Sequence, residues 1–118
     1  MQVDRVGDGP IAVVVVTVHG FVDAGSVGQL REHLDELLRQ GAHRFVIDLT
    51  DVPFMDSSGL ATLVQTFKRV RIGEGDVRLA GLQDEVRRVF ELVRLNRVFD
   101  LFPDASAGVA SFDVPHGD

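Results

Sequence analysis

From Ile11 to Val18 the chain reads IAVVVVTV, and a nearly unbroken β-branched run of this kind predicts a strand buried on both faces. Gln2 to Val6, joined to it through the turn residues GDGP, predicts an antiparallel hairpin partner. The period then lengthens. Ser26 and Gln29 stand at capping-box spacing, and Val27, Leu30, Leu34, Leu37 and Leu38 share one helical face, which Gly41 should end. Arg44 to Leu49 predicts a second buried strand. Leu60, Leu63, Val64 and Phe67 mark a second helix, led in by Asp56, Ser57 and Ser58, running to about Arg71 and broken by GEG. Asp76 to Ala80 alternates as a strand, and Val86, Val89, Phe90 and Val93 give a third helical face. A short strand around Val98 to Leu101 and a last helix after Pro103 complete the pattern, with residues 114–118 expected to fray.

Strands alternating with helices predict a single α/β domain over residues 1–113. Its central layer should be a mostly parallel sheet of about four or five strands with an antiparallel N-terminal strand, flanked by roughly three or four helices. A length of 118 residues agrees with one domain, and 45% hydrophobic with 25% charged residues is an ordinary globular composition. The longest apolar run, Ile11 to Val16, falls far short of the ~20 residues that span a bilayer, so no membrane association is expected. Asp4, Asp8 and Pro10 precede or abut that run, unlike the basic flank of a secretory signal, and the expected location is the cytoplasm. The absence of cysteine excludes disulfides, thiolate nucleophiles and cysteine-held metals. A net charge of -6 repels phosphate backbones and argues against a nucleic-acid partner.

The chemistry concentrates in FMDSSGL, Phe54 to Leu60, at the junction of the second buried strand and the second helix. Aspartate and serine suit a helix N-terminus because their oxygens accept unpaired backbone N–H groups. One cap suffices, which leaves at least one hydroxyl over. Gly59, inside the first turn, costs roughly 1 kcal/mol relative to alanine and is usually kept for close backbone approach.

Three kinds of chemistry could use those hydroxyls. A hydrolase nucleophile elbow needs G-x-S-x-G, but Met55 and Asp56 stand where the first glycine would precede Ser57 or Ser58. Nor do His19, His33, His43 and His116 form a pattern that could supply the base. A phosphoacceptor aspartate is suggested by VIDLTDVPFMD, in which Asp48 ends a strand much as in response-regulator receivers. That reading lacks an acidic pair after the first buried strand, which ends TVHG, and the single lysine, Lys68, lies in a helix rather than at the last strand. Without the acidic pair there is no carboxylate cage for Mg²⁺, and with no cysteine and no spaced histidine set, no metal site and no cofactor are expected. The third possibility is a serine that is itself phosphorylated, since a helix N-terminus tolerates the added charge of about -1.5 to -2.

VIDLTDVPFMDSSGLATL resembles the signature of STAS domains, specifically bacterial anti-sigma factor antagonists, and the likeness extends over most of the chain. GFVDAGSVGQL is similar to the family's G-x-[LIV]-D segment, and GEGDVRLAGLQDEVRRVFELVRLNRVFDLFPD to its later strand, helix and closing segment. The resemblance implies the STAS fold and a regulatory protein rather than an enzyme, with no catalytic residue of its own. Ser57 matches the serine phosphorylated by the anti-sigma factor, itself a serine kinase. Asp56, Ser58 and Gly59 match the surrounding contact surface, and Asp23 matches an acid expected near the phosphorylation site. The unphosphorylated form would bind the anti-sigma factor and free its sigma factor; phosphorylation would break the complex, and a PP2C-type phosphatase would restore it. The alternative is a STAS scaffold or ligand-binding module without phospho-switching.

Phe21 departs from the glutamate that many relatives carry, Ala61 from a common glycine, and Gln83 from a frequent serine before the third helix. Lys68, Arg69 and Arg71 suit the C-terminal end of a helix, and Asp48 and Asp51 should bond loop backbone. Phe54 and Met55 are expected to pack beneath the loop, with a partner-facing position as the alternative.

Overall fold

The computed structural model describes residues 1–7 and 12–113; the expected tail and most of the GDGP turn lie outside them. Its elements are β1 (Gln2–Val6), β2 (Val13–His19), α1 (Val27–Arg39), β3 (Arg44–Asp51), α2 (Ser57–Ile72), β4 (Asp76–Ala80), α3 (Asp84–Leu92), β5 (Leu101–Phe102) and α4 (Ala105–Ala110). 3₁₀ turns at Leu95–Arg97 and Ser111–Asp113 follow α3 and α4. The five strands lie side by side in chain order. β1 runs antiparallel to β2, and every later pair is parallel.

Strand order equal to chain order has a consequence for the helices. Parallel strands joined to their neighbours by right-handed crossovers carry all their connecting helices on one face, and the burial pattern agrees. Val14, Val16 and Val18 of β2, Phe45, Ile47 and Leu49 of β3, and Val77 and Leu79 of β4 form one core with Leu30 and Leu34 of α1, Leu63 and Val70 of α2, and Val86 and Phe90 of α3. The intervening residues Val13, Val15, Val46 and Ala80 point to the opposite face, where Ala105, Val109 and Phe112 cover them. Both faces of the valine run are therefore buried, as its composition predicts. Leu34 and Leu63 are wholly buried, a stabilisation of about 1.5–3 kcal/mol for each side chain.

The helix ends show where local chemistry departs from expectation. The capping box at the start of α1 does not form: the Ser26 hydroxyl donates to the Phe21 carbonyl and accepts from the Asp23 N–H, at 2.8 and 3.0 Å. The C-terminal end follows expectation, with Gly41 at φ +91°. Its N–H bonds the Leu38 carbonyl and that of Ala42 bonds Leu37, a Schellman closure. Val93 does not extend the buried face of α3, being 52% exposed beyond the helix end, because Arg94 turns the chain through φ +63°. Phe99, 2% exposed, enters the core instead, edge-on to Phe90 and Phe67. The last strand accordingly begins at Leu101 rather than Val98 and pairs only with Leu79 and Ala80.

Two glycines have opposite roles in this packing. A Cβ on Gly75, between α2 and β4, would stand 1.9 Å from the His43 carbonyl oxygen, whereas one on Gly28, in α1, would meet nothing within 4 Å. Gly75→Ala should therefore lower unfolding stability by about 1–3 kcal/mol, while Gly28→Ala should raise it by up to about 1 kcal/mol. Urea midpoints of the two variants on either side of the wild type check the assignment; a neutral Gly75→Ala refutes the tight approach.

Candidate functional site

FMDSSGL lies at the C-terminal edge of the parallel sheet, where ligands and partners commonly meet α/β folds. Two loops rise there side by side, one from β2 and one from β3, and sheet-like pairing continues into them. Gly20 N–H bonds the Asp51 carbonyl at 2.9 Å, Val22 N–H the Phe54 carbonyl at 3.0 Å, and Asp56 N–H the Val22 carbonyl at 3.0 Å. Val22 and Met55 thus form a parallel bridge, and both side chains point inward, 3% exposed each.

Asp56 is the N-cap of α2, and its carboxylate serves both loops. Oδ1 accepts from the N–H groups of Ser58 and Gly59, at 2.8 and 3.3 Å, and Oδ2 from the N–H of Ala24 across the gap, at 3.2 Å. Neither serine hydroxyl is needed for the cap. Ser57 is exposed and Ser58 half-buried, so the more accessible hydroxyl stands at the first position of a helix of 16 residues.

Gly59 lies under this surface rather than on it. A Cβ there would meet Met55 Cγ at 2.6 Å and Val22 Cγ1 at 2.8 Å, so the close approach that this glycine permits is that of its own chain. Asp23 is turned into its own loop: its Oδ1 accepts from the N–H groups of Gly25 and Ser26, at 3.0 and 3.1 Å, and its carbonyl accepts from the N–H of Val27 at 2.8 Å. The structure brings Asp23, Asp56, Ser57 and Ser58 to one edge of the sheet, with Asp23 and Asp56 already committed to holding the backbone.

The remaining candidates separate in the same way. Asp48 accepts from the N–H and hydroxyl of Thr50, at 3.0 and 2.6 Å, as a loop-bonding residue should. Asp51 instead pairs with His19 Nδ1 at 2.9 Å, both side chains about half exposed. Gln83, at the start of α3, donates to the Thr50 carbonyl at 2.8 Å and ties a third loop to the end of β3. At the far end of α2, Arg69 pairs with Asp35, and the Arg71 guanidinium lies 5.9 Å from the Phe67 ring centre. Among the described residues no group of three or more acids or histidines could hold a metal, and no helix is long and apolar enough to cross a membrane.

The expectation for Phe54 is overturned. Met55 packs beneath the loop, but Phe54, its neighbour in an extended segment, points the other way and is 47% exposed. It meets Phe21, 61% exposed, with ring centroids 5.7 Å apart. The pairing was hidden in the sequence because 33 positions separate the two residues and only the bridge between Val22 and Met55 makes them neighbours.

The model for the STAS domain matches residues 3–107 of this chain. An anti-sigma-B factor antagonist of Bacillus subtilis (strain 168) is 36% identical over 96 residues, which cover 81% of this chain and 87% of that protein. Among solved structures, an anti-sigma factor antagonist from Mycobacterium paratuberculosis superposes with a TM-score of 0.82 at 23% identity, covering 95% of this chain and 93% of that one. The Bacillus cell fate determinant SpoIIAA in its phosphorylated form superposes with a TM-score of 0.70 at 19% identity, covering 93% and 98%. The structural likenesses attest the shared fold; the sequence matches attest the family.

The double use of the Asp56 carboxylate has a measurable consequence. Asp56→Ala removes the cap and the link to Ala24 together and should cost about 1–3 kcal/mol, while Asp56→Asn, which keeps a capping oxygen, should recover part of the loss. Denaturant titration of both variants tests this; equal stability of Asp56→Ala and the wild type contradicts it.

Proposed function

The chain belongs to the STAS domain family, and on that premise we propose that it is an anti-sigma factor antagonist switched by phosphorylation of Ser57. It acts as a regulatory binding protein and not as an enzyme, as do the relatives named anti-sigma-B factor antagonists. Unphosphorylated, it binds an anti-sigma factor that is itself a serine kinase, and the sigma factor is released. The kinase transfers a phosphoryl group to Ser57, the complex separates, and a PP2C-type phosphatase resets the cycle.

The observation that carries this reading is the division of labour at the start of α2. Asp56 caps the helix, so the exposed Ser57 hydroxyl beside it has no structural task that modification would disrupt. A phosphate there sits at the positive end of the helix dipole, which offsets part of its charge, and the fold tolerates it. A docked partner does not. Binding over Ser57 desolvates the hydroxyl, which one hydrogen bond can satisfy. A phosphate next to the Asp56 carboxylate brings a charge that the interface must bury without compensation, at a cost of several kcal/mol or on the order of a thousandfold in affinity.

Two outcomes test the proposal. Ser57→Asp and the authentic phosphoprotein should keep near-native melting temperatures and lose anti-sigma factor binding in calorimetric titration, while Ser57→Ala binds and cannot be switched off. Equal affinities of the phosphorylated and unphosphorylated forms reject partner switching. With the kinase and ATP, peptide mass spectrometry should place the phosphate on Ser57. Ser57→Ala should abolish incorporation and Ser58→Ala should leave some; phosphate confined to Ser58 reassigns the acceptor.

A further inference from the structure

Phe21 and Phe54 are 61% and 47% exposed, and each covers only part of the other's ring. Two aromatic rings left in water side by side, on the two loops that flank Ser57, have no role in either hydrophobic core. We infer that this pair is the apolar anchor by which the anti-sigma factor grips the chain, separate from the serine that controls release. The inference rests on reading the Ser57 surface as the docking face.

The backbone under the rings supports an anchor rather than a mobile loop. The Phe54 carbonyl accepts the Val22 N–H, and the Phe21 carbonyl accepts the Ser26 hydroxyl, so both residues are fixed where they present their rings. An anchor held in place before binding loses little freedom when it docks, and aromatic side chains fixed in this manner are enriched among the residues that dominate interface affinity. The surface continues past Phe21 into a cleft of about 90 Å³ bordered by Val18, Val22, Gln29 and Leu30. A partner therefore meets a ridge of two rings beside a shallow depression.

Charge narrows the identity of the occupant. The segments GFVDAGS and TDVPFMDSS contribute Asp23, Asp51 and Asp56 and no lysine or arginine, and His19, which borders the same cleft, is paired with Asp51. That rim repels nucleic acid and anionic lipid, and favours a protein face with an apolar pocket free of acidic groups. The nearness of the rings to Ser57 also makes them part of substrate recognition by the kinase. Removing them should weaken capture of this chain without altering transfer of the phosphoryl group once it is bound.

The test uses the full chain and a kinase of the anti-sigma class from the same genome, selected because it binds the unphosphorylated wild type. Phe21→Ser and Phe54→Ser should each weaken that binding by at least about tenfold, and the double variant by more. KM for phosphorylation of the chain should rise while kcat stays within about twofold. Ile72→Ser, which removes a side chain 84% exposed at the far end of α2, should leave both unchanged. Wild-type binding with undiminished affinity in the phenylalanine variants overturns the anchor and leaves the switch standing. A kcat loss in place of a KM rise also overturns it, as does a self-association that these variants abolish while kinase binding persists. If no such kinase binds the wild type, the reading of the Ser57 surface falls first and the anchor with it.

Discussion

The two loops at the C-terminal edge of the sheet are held in register by backbone pairing, and the Asp56 carboxylate fastens them. One oxygen closes the first turn of α2 and the other reaches Ala24 on the loop from β2. Everything that gives this edge its character depends on that connection. It caps α2 with Ser57 as its first exposed residue, and it reinforces the backbone pairing of Val22 with Met55 that brings two phenylalanines distant in sequence into contact. It also draws Val22 and Met55 together beneath Gly59, where a larger residue would force the helix off the loop. A carboxylate with three donors within hydrogen-bonding distance is a rigid joint, and the surface above it inherits the rigidity.

This arrangement separates tasks that a single residue could not combine. The cap must be permanent, because an unpaired helix N-terminus costs about 1 kcal/mol for the lost cap alone. A group proposed to change its charge must be dispensable to the fold. Asp56 takes the first task and leaves the exposed Ser57 hydroxyl outside the cap. Ser58, half-buried one position further on, is less accessible than Ser57. Spacing along the helix, rather than any unusual chemistry of serine, distinguishes the two.

The sequence makes the architecture legible because period and composition coincide in the long elements. The valine run is short and almost wholly β-branched, which favours a strand over a helix, and the faces of α1 and α2 are continuous over several turns. Its failures are local and share a cause. Ser26 has the spacing of a capping residue, but the loop from β2 offers it the Phe21 carbonyl, a contact that exists only once the loop has formed. Val93 continues a period of 3.6 past the point where Arg94 turns the chain. Phe54 looks like a loop anchor until the pairing of Val22 with Met55 fixes which of two adjacent side chains points inward. At the site, composition identifies Asp56 and Ser57 as helix-terminal, whereas the outward aromatic pair depends on long-range pairing that no window of residues contains.

The opposite face of the sheet is built on a different scale. α4 has six residues, too few to be helical by itself. It is seated by Gly108 against Val46, by the Asp104 cap on the Ala107 N–H at 2.8 Å, and by the Phe112 ring 3.8 Å from the Arg78 guanidinium. Such a cover forms only on a sheet already assembled, so it should join last in folding and detach first in sub-global opening. The molecule is consequently graded in its native-state fluctuations. Amide protons of β5 and α4 should exchange as the fast unit and those of β2 and β3 as the slowest, with the serine-bearing edge attached to the slow one.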